Sequence, residues 1–293
     1  MNVRQLSVSR RSITIAAALA GFVSLALGAH AALYNRTPDA AKVAAAVQSG
    51  EAVQAASRVA LVIGNGHYPD ANEPLTQSIN DARALTSALR RDGFDVDVVE
   101  DASKDDMARA VARLKSKIRP DSVVMLFFGG YGVQAGRQSY MIPVDATIWK
   151  EADVRREGVS MESVLDAMKE RGAHAKLAVI DASRRNPYER RFRAYSHGLA
   201  PINAPDNALI LSSTTAGKVT DDSRGQNSVL VTELLNNLNA QTGIETVFSK
   251  TRLANARASE GEQVPSVSSS LVDDVRFADG VVAAAARPVA KLD

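Results

Sequence analysis

Apolar runs alternate with amphipathic segments along most of this chain. Four runs made almost wholly of apolar residues lie at 58–63, 123–128, 177–180 and 208–211. Runs of this length are typical of strands that are buried on both faces of a sheet. The segment Phe94–Val98 instead alternates apolar and charged residues, which predicts an edge strand with one face in water.

Between the predicted strands, apolar residues recur at the spacing of helices. The helical sets are Ala82–Leu89, Met107–Ile118, Met161–Met168, Leu230–Leu238 and Val247–Leu253. Gly93 is the expected end of the first helix, and Ser160 is the expected N-cap of the third. Strands that alternate with helices in this way predict an α/β fold, with a mostly parallel central sheet and helices on both faces.

The predicted topology also indicates where a ligand would bind. In parallel sheets of this kind the site lies beyond the carboxyl ends of the strands. Four segments are expected to meet there, namely Gly64–Gly66, Gly129–Gly132, Asp181–Arg184 and Ser212–Thr215. Their convergence follows from the alternation of strands and helices alone.

The beginning of the chain has the layout of a secretory signal. Residues 1–12 are polar with three arginines, residues 13–27 are apolar or small, and Ala29–Ala31 matches a small-x-small cleavage pattern. We interpret residues 1–31 as an export signal, of the general or the twin-arginine type, which places the protein in the periplasm or otherwise outside the cytoplasm. An uncleaved membrane anchor at residues 13–34 is the alternative.

Composition divides the rest of the chain into three parts. Residues 32–57 are Ala-rich and predicted to be a linker, residues 58–278 are predicted to form one domain, and residues 279–293 are predicted to be a tail. Without the three arginines at the start, 32 of the 35 basic side chains remain against 33 acidic ones, so we expect no nucleic-acid partner. The chain has no cysteine, which excludes disulfides and thiolate metal sites, and we predict no metal or cofactor.

Several short motifs occur in order between residues 57 and 278. They are Val62–Tyr68, Asn80–Ala82, Phe127–Gln134, Tyr140–Asp145, Asp181–Pro187 and the weaker Thr215–Gly217 and Gln263–Pro265. In this order they resemble the bacterial caspase-like proteases, the metacaspase or orthocaspase family. The resemblance implies a three-layer caspase-like sandwich in which Tyr131 and Ser183 stand where the family has its catalytic His and Cys. Their separation of 52 residues agrees with the family's spacing of ~50.

These two replacements predict the loss of peptidase activity. In working members of the family, the His promotes formation of a thiolate, which attacks the peptide carbonyl. The hydroxyl of Ser183 is a poor nucleophile without an adjacent base. A tyrosine with a reference pKa of ~10 is neutral about 99.9% of the time at pH 7, so Tyr131 is a poor base. We therefore expect a pseudoenzyme in which Tyr131 fills the space of the lost His.

Other parts of the family's site are expected to remain. The resemblance implies an oxyanion site made by the backbone N–H groups of Gly132 and Ser183. It also implies that Asp81 and Asp181 hold an Arg or Lys side chain of a ligand. The alternatives are that Asp81 is a first-turn acid favoured by its helix dipole, and that Asp181 only accepts a hydrogen bond from a loop. The run of arginines that starts at Arg184 is interpreted as a solvated loop.

The sequence favours an exported, non-catalytic protein that binds or regulates a protein or peptide partner. Two alternatives stay open. One is a serine hydrolase in which a loop histidine activates Ser183, and the other is a structural partner of an active caspase-like protease. A hydrogen bond between a histidine imidazole and the Ser183 hydroxyl would favour the hydrolase.

Overall fold

A computed structural model describes residues 57–69, 74–184, 188, 198–220, 225–238, 242–277 and 280–282. The predicted signal at residues 1–31 and the Ala-rich segment up to residue 56 lie outside them. The elements follow in the order β1 (Arg58–Gly64), α1 (Thr76–Arg91), β2 (Asp95–Glu100), α2 (Lys104–Lys117), β3 (Val123–Gly129), β4 (Gly132–Ala135), β5 (Gln138–Met141), α3 (Glu151–Glu157), β6 (Val159–Ser160), α4 (Met161–Glu170), β7 (Ala175–Asp181), β8 (Ala208–Ser212), α5 (Val229–Asn237), α6 (Ile244–Ala258), β9 (Ser266–Ser269), β10 (Asp274–Arg276) and β11 (Gly280–Val282).

Six strands form the central sheet in the order β2-β1-β3-β7-β8-β9. Neighbouring strands from β2 to β8 run parallel, and β9 pairs antiparallel with β8 at the edge. The four apolar runs are the interior strands β1, β3, β7 and β8, because only strands covered on both faces need to be apolar throughout. The alternating segment is β2, which ends the sheet as its pattern predicted.

Helices cover both faces of this sheet, so the predicted three-layer sandwich is confirmed. Successive residues of β3 point to opposite faces: Leu126 and Phe128 join one core cluster and Met125 and Phe127 the other. The first cluster is completed by α2 and α4, and the second by α1, α5 and α6. Each strand thus contributes alternate side chains to two separate cores.

The predicted helix ends agree with the structure. Ser160 is the N-cap of α4, where its hydroxyl accepts a hydrogen bond from the Ser163 N–H at 3.1 Å. Gly93 follows α1 with φ of +83°, a left-handed conformation that glycine adopts without strain. Ser103 and Asp106 form a capping box at the start of α2.

A second, small antiparallel sheet of β4, β5 and β6 was not predicted. Its strands have two to four residues, too few for a periodic pattern to be visible. The first residues of the predicted tail also differ from expectation, because β11 pairs with β10. Among the described residues, no helix is long and apolar enough to span a bilayer.

Candidate functional site

The carboxyl ends of the parallel strands meet at one edge of the sheet, as predicted. The Asn65 N–H donates to the Gly129 carbonyl at 2.8 Å, and the Gly130 N–H donates to the Asp181 carbonyl at 3.2 Å. The Ser213 N–H donates to the carbonyl of Ile180 at 2.9 Å. The segments after β1, β3, β7 and β8 are therefore joined to one another by backbone hydrogen bonds.

Tyr131 and Ser183 lie beyond neighbouring strand ends, since β3 pairs with β7 in the register Gly129 to Asp181. Both residues are buried, with 9% of Tyr131 and 1% of Ser183 exposed. The ring of Tyr131 packs edge-on against Tyr68 with the centroids 4.8 Å apart. Tyr131 thus belongs to a small aromatic cluster.

Tyr68 and Asn65, both in the first motif, position the backbone around Tyr131. The Tyr68 hydroxyl donates to the Ile142 carbonyl at 2.9 Å and accepts from the Tyr131 N–H at 3.1 Å. The fully buried Asn65 side chain donates to the same Ile142 carbonyl at 3.1 Å and accepts from the Ala102 N–H at 2.8 Å. Gly130 must be glycine because a Cβ there would lie 2.6 Å from the Tyr68 hydroxyl.

The N–H of Gly132, which was predicted to be an oxyanion donor, is already hydrogen-bonded within the fold. Its N–H donates to the Ala182 carbonyl at 2.8 Å, which joins the segments after β3 and β7. A Cβ on Gly132 would lie 2.6 Å from Leu199 and 2.8 Å from the same carbonyl. In this arrangement the amide serves the fold, because its single hydrogen already has an acceptor.

Arg184 is buried, which corrects the interpretation of its arginine run as a solvated loop; the following arginines of the run lie outside the described residues. Its Nη1 donates to the carbonyls of Asp181 at 2.6 Å and Gly130 at 3.2 Å. It also lies 3.7 Å from Oδ1 of Asp181. The guanidinium therefore crosslinks the ends of β3 and β7 and places a positive charge beside Asp181.

Both described histidines pair with aspartates away from Ser183. His67 Nδ1 lies 2.6 Å from Asp101 Oδ2 on an exposed loop. His174 Nε2 lies 2.9 Å from Asp273 Oδ2, just before β7 begins, whereas Ser183 follows the end of that strand. Within the described residues, no hydrogen bond joins an imidazole to the Ser183 hydroxyl.

The two predicted pocket acids lie together on the α1 face of the sheet. Asp81 is the sixth residue of α1, so the alternative of a first-turn acid is wrong. Its Oδ1 accepts from the Ser228 N–H at 3.0 Å and from Asn227 Nδ2 at 2.8 Å. Ser228 is the N-cap of α5, so Asp81 lies at the amino end of a different helix.

Burial and the neighbouring charge of Asp181 set the protonation of Asp81. Asp81 is completely buried and Asp181 is 2% exposed. Burial, and next the charge of Asp181, raise the pKa of Asp81 to about 7, against which the hydrogen bonds from Asn227 and Ser228 act. Asp81 Oδ2 and Asp181 Oδ2 have no hydrogen-bond partner among the described residues.

Two serine hydroxyls close to the acid pair are also buried without a partner among the described residues, those of Ser78 and Ser213. Ser78 precedes Asp81 by three residues and so shares its helix face. Ser213 continues β8 beside Asp181, since Ile180 and Ser212 are paired in parallel register. Four polar groups without partners thus line the end of β7 on one face.

A match to a family model agrees with this geometry. The model for the caspase domain matches residues 57–276, which is well over half of the chain. This chain belongs to the caspase family. The assignment accounts for the order of the motifs and for the placement of residues 131 and 183 at adjacent strand ends.

Two mammalian proteins of the family are similar to part of the chain. Mucosa-associated lymphoid tissue lymphoma translocation protein 1 of Homo sapiens is 28% identical over 137 residues, which are 46% of this chain and 16% of that protein. Its Mus musculus homolog is 29% identical over 147 residues, which are 48% of this chain and 17% of that protein. The chain therefore spans about a sixth of the length of these relatives.

A cleft of about 190 Å³ lies beside Ser183 in this caspase domain. Leu199 and Ile202 line one side, and Thr214 and Ser266 line the other. The cleft lies on the sheet face that α2 and α4 cover, because its lining residue Ile210 belongs to that core cluster. The acid pair lies on the opposite face, which α1 covers and towards which Leu211 points. Ser183 thus lines the cleft and follows Asp181 of the acid pair by two residues.

Sequence reasoning missed three residues that shape the site: Ser78, Tyr68 and Arg184. A signal was present for Ser78, because helical spacing places it on the same face as Asp81. Tyr68 and Arg184 were part of the motifs, but their hydrogen bonds to the backbone of other segments depend on tertiary contacts. Among the described residues, no group of three His, Asp or Glu side chains could hold a metal ion.

Proposed function

We propose that this caspase-family protein is catalytically inactive and binds the basic side chain of a protein or peptide. The observation that carries the proposal is the contrast at the end of β7. The resemblance implies that Ser183 and Tyr131 stand where the family has its thiol and imidazole, while Asp181, two residues before Ser183, forms a buried pair of carboxyl groups with Asp81. In this proposal the nucleophile and the base for peptide cleavage are lost, and the carboxyl groups that can bind a cation remain.

The dyad positions support inactivity for a chemical reason. An acyl transfer needs a nucleophile and a base that takes its proton near neutral pH. Ser183 has no imidazole partner among the described residues, and the ring of Tyr131 packs edge-on against Tyr68. The Gly132 N–H is bonded to Ala182, so the transition state would also lack one expected donor.

The acid pair supports the binding of a cation. Carboxyl groups buried without sufficient partners cost stability, and a charged ligand supplies the missing interactions. Arginine is the favoured side chain, because its planar guanidinium can donate to both carboxylates at once. Lysine offers a point charge and is expected to bind more weakly.

A covering segment, Gly225–Ser228, closes the acid pair from solvent. It is held by Gln77, which donates to the Gly225 carbonyl at 2.7 Å, and by Asn80, which donates to the Gln226 carbonyl at 2.9 Å. Together with the bonds of Asn227 and Ser228 to Asp81, these contacts leave no exposed surface on Asp81. Ligand entry therefore requires the covering segment to move away from α1.

Binding is tested by titrating an amidated peptide with a single arginine into the protein and its Asp181→Asn variant by calorimetry. We expect the variant to bind about ten- to a hundredfold more weakly, since a charge-assisted contact contributes roughly 1.5–3 kcal/mol. A peptide with citrulline in place of arginine is the matched control, because it keeps the shape and lacks the charge. Equal affinity of the two peptides for the wild type would contradict the proposal.

Inactivity is tested by incubating the protein with arginine, lysine and aspartate peptides, with and without calcium. We expect no turnover. Cleavage that disappears in the Ser183→Ala variant would instead establish the serine hydrolase.

We also propose that the protein acts outside the cytoplasm, on the strength of the signal-like residues 1–31. Fractionation of cells that express the full chain tests this. Recovery in the cytoplasm at full length would contradict it, and recovery in the membrane would favour the anchor at residues 13–34.

A further inference from the structure

The acid pair has a charge balance that constrains how it can bind a cation. Among the described residues, two carboxyl groups face one guanidinium, that of Arg184, which lies 3.7 Å from Asp181 Oδ1. If both acids were ionised, the cluster would carry one unbalanced negative charge away from water. A charge of this kind is strongly disfavoured in the interior of a protein.

Within the part of the chain that the structure describes, the other groups around the pair supply no second cation. Helix α1 contributes Ser78, the end of β8 contributes Ser213, and the covering segment contributes Asn227 and Ser228, all of which are neutral. On the far side of Arg184, burial raises the pKa of the Tyr68 phenol, which is therefore uncharged near pH 7. The phenol of Tyr188 is also buried there.

Without a ligand, the missing positive charge is most simply supplied by a proton. Asp81 is the acceptor, since it is completely buried and has no ion pair among the described residues, whereas Asp181 has Arg184 beside it. Protonated Asp81 still accepts from Ser228 and Asn227 on Oδ1, and its Oδ2–H then becomes a donor. This state neutralises the cluster and disturbs none of its hydrogen bonds.

We propose that Asp81 holds a proton in the ligand-free protein and that a basic side chain enters the acid pair in exchange for it. This inference rests on the proposed function, and concerns the regulation of the same site. The exchange balances: one proton leaves the Asp81 carboxyl for solvent as one positive charge enters, and the net charge of the cluster stays unchanged.

The exchange makes the site selective for a single positive charge and sensitive to pH. One proton is replaced by one monovalent group, so a lysine or arginine side chain fits the balance and a divalent ion does not. Because burial and Asp181 raise the pKa of Asp81 to about 7, the proton competes with the ligand below neutral pH. The affinity should then fall about tenfold for each pH unit below this value and level off above it.

The test is calorimetric titration of the arginine peptide between about pH 5.5 and 8.5, at each pH in two buffers that hold that pH and differ in ionisation enthalpy, such as phosphate and ACES near pH 6 to 7 and phosphate and Tris near pH 8. We expect close to one proton released per peptide bound near pH 6, falling to nearly none above about pH 8. Asp81→Asn should bind with an affinity that does not change with pH and release no proton. This variant retains an Oδ1 acceptor for Ser228 and Asn227, so the fold around it is preserved.

The outcomes separate this inference from the proposed function. If the arginine peptide binds better than its citrulline control, but with equal affinity at every pH and no proton release, the exchange is wrong and the binding site stands. If the two peptides do not differ, the binding site is wrong. The proton is then tested without any ligand, by following the carboxyl ¹³C resonance of Asp81 against pH. A midpoint near pH 4 would overturn it, whereas a midpoint near pH 7 that falls in Asp181→Asn would support it.

Discussion

Asp181 and Ser183 are two residues apart at the end of β7. The surroundings of Tyr131 and Ser183 nevertheless differ from those of the acid pair in how far their polar groups are hydrogen-bonded. Around Tyr131 and Ser183 the hydrogen-bonding groups are used within the fold: the backbone amides of Tyr131 and Gly132 have acceptors, and the buried Arg184 guanidinium donates to the Gly130 carbonyl. Around Asp81 and Asp181 the groups are ionisable, buried and short of partners among the described residues.

Under the proposed function, catalysis and binding are separable in this caspase domain. The packed aromatic cluster adds to stability through apolar burial and edge-on ring contact. The acid pair subtracts from stability, because desolvation of the carboxyl groups is not fully offset by their hydrogen bonds. Groups that destabilise a fold without a structural role are candidates for ligand binding.

The largest expected effect is the restoration of catalysis by the double variant Tyr131→His, Ser183→Cys. Because the two positions lie on neighbouring strand ends, we expect cleavage after arginine or lysine about 10²–10⁴-fold above the wild-type background. Cleavage rates of the arginine peptide, with and without a thiol-alkylating reagent, provide the measurement.

Tyr131→His, Ser183→Ala is the matched control, since it supplies the base without a nucleophile and should remain inert. A folded double variant without activity would show that the difference between the two regions extends to the backbone. The bond from the Gly132 N–H to Ala182 would then be the first contact to examine.

The second prediction concerns the pH dependence of stability, in which the acid pair should dominate. Asp81 has a folded-state pKa above its ordinary value, so between about pH 4 and 7 the folded protein holds a proton that the unfolded chain has released. The wild type should lose stability as the pH rises through this window. The side chain at position 81 of the Asp81→Asn variant does not titrate. The free energy of unfolding of the variant minus that of the wild type should therefore increase by on the order of 3 kcal/mol from pH 4 to pH 8.

Denaturant unfolding of both proteins across this pH range provides the measurement. Asp106→Asn is a control of opposite sign, because hydrogen bonds from Ser103 and Arg109 lower the pKa of Asp106. Measured also below pH 4, that variant should lose stability relative to the wild type as the pH rises towards about 4, and the difference should stay constant above it. A constant difference between Asp81→Asn and the wild type would mean that Asp81 is ionised throughout.

The smallest effect is expected at Tyr68, in the aromatic cluster that contains Tyr131. Tyr68→Phe removes the hydroxyl that bonds to the Ile142 carbonyl and the Tyr131 N–H, and should lower the free energy of unfolding by about 1–3 kcal/mol. Tyr140→Phe, whose hydroxyl donates to Gln138 Oε1 at 2.8 Å, should cost less because that bond is only partly buried. Thermal unfolding compares the two variants.

Peptide affinity should be unchanged in Tyr68→Phe if the two regions are independent. A large loss of binding in this variant would show that the aromatic cluster supports the acid pair.

Hydrophobic patterning predicted the interior strands and five main helices because long elements carry many repeats of one period. It could not predict β4, β5 and β6, which are too short and are held in place by antiparallel pairing with one another. It also misjudged Arg184, since a charged residue after a strand is usually solvated. Here the carbonyls of Gly130 and Asp181 provide acceptors for a buried guanidinium.

The sequence by itself determined the alternation of strands and helices and the order of the motifs, whose resemblance to the caspase family predicts that Tyr131 and Ser183 replace the dyad. These are properties of residue type and spacing, which need no knowledge of contacts. Only the tertiary structure decided that Asp81 is buried against Asp181 and the amino end of α5, and that the Gly132 amide is taken by Ala182. Protonation and hydrogen bonding depend on which segments meet in space, because both respond to burial and to charges brought close from distant parts of the chain.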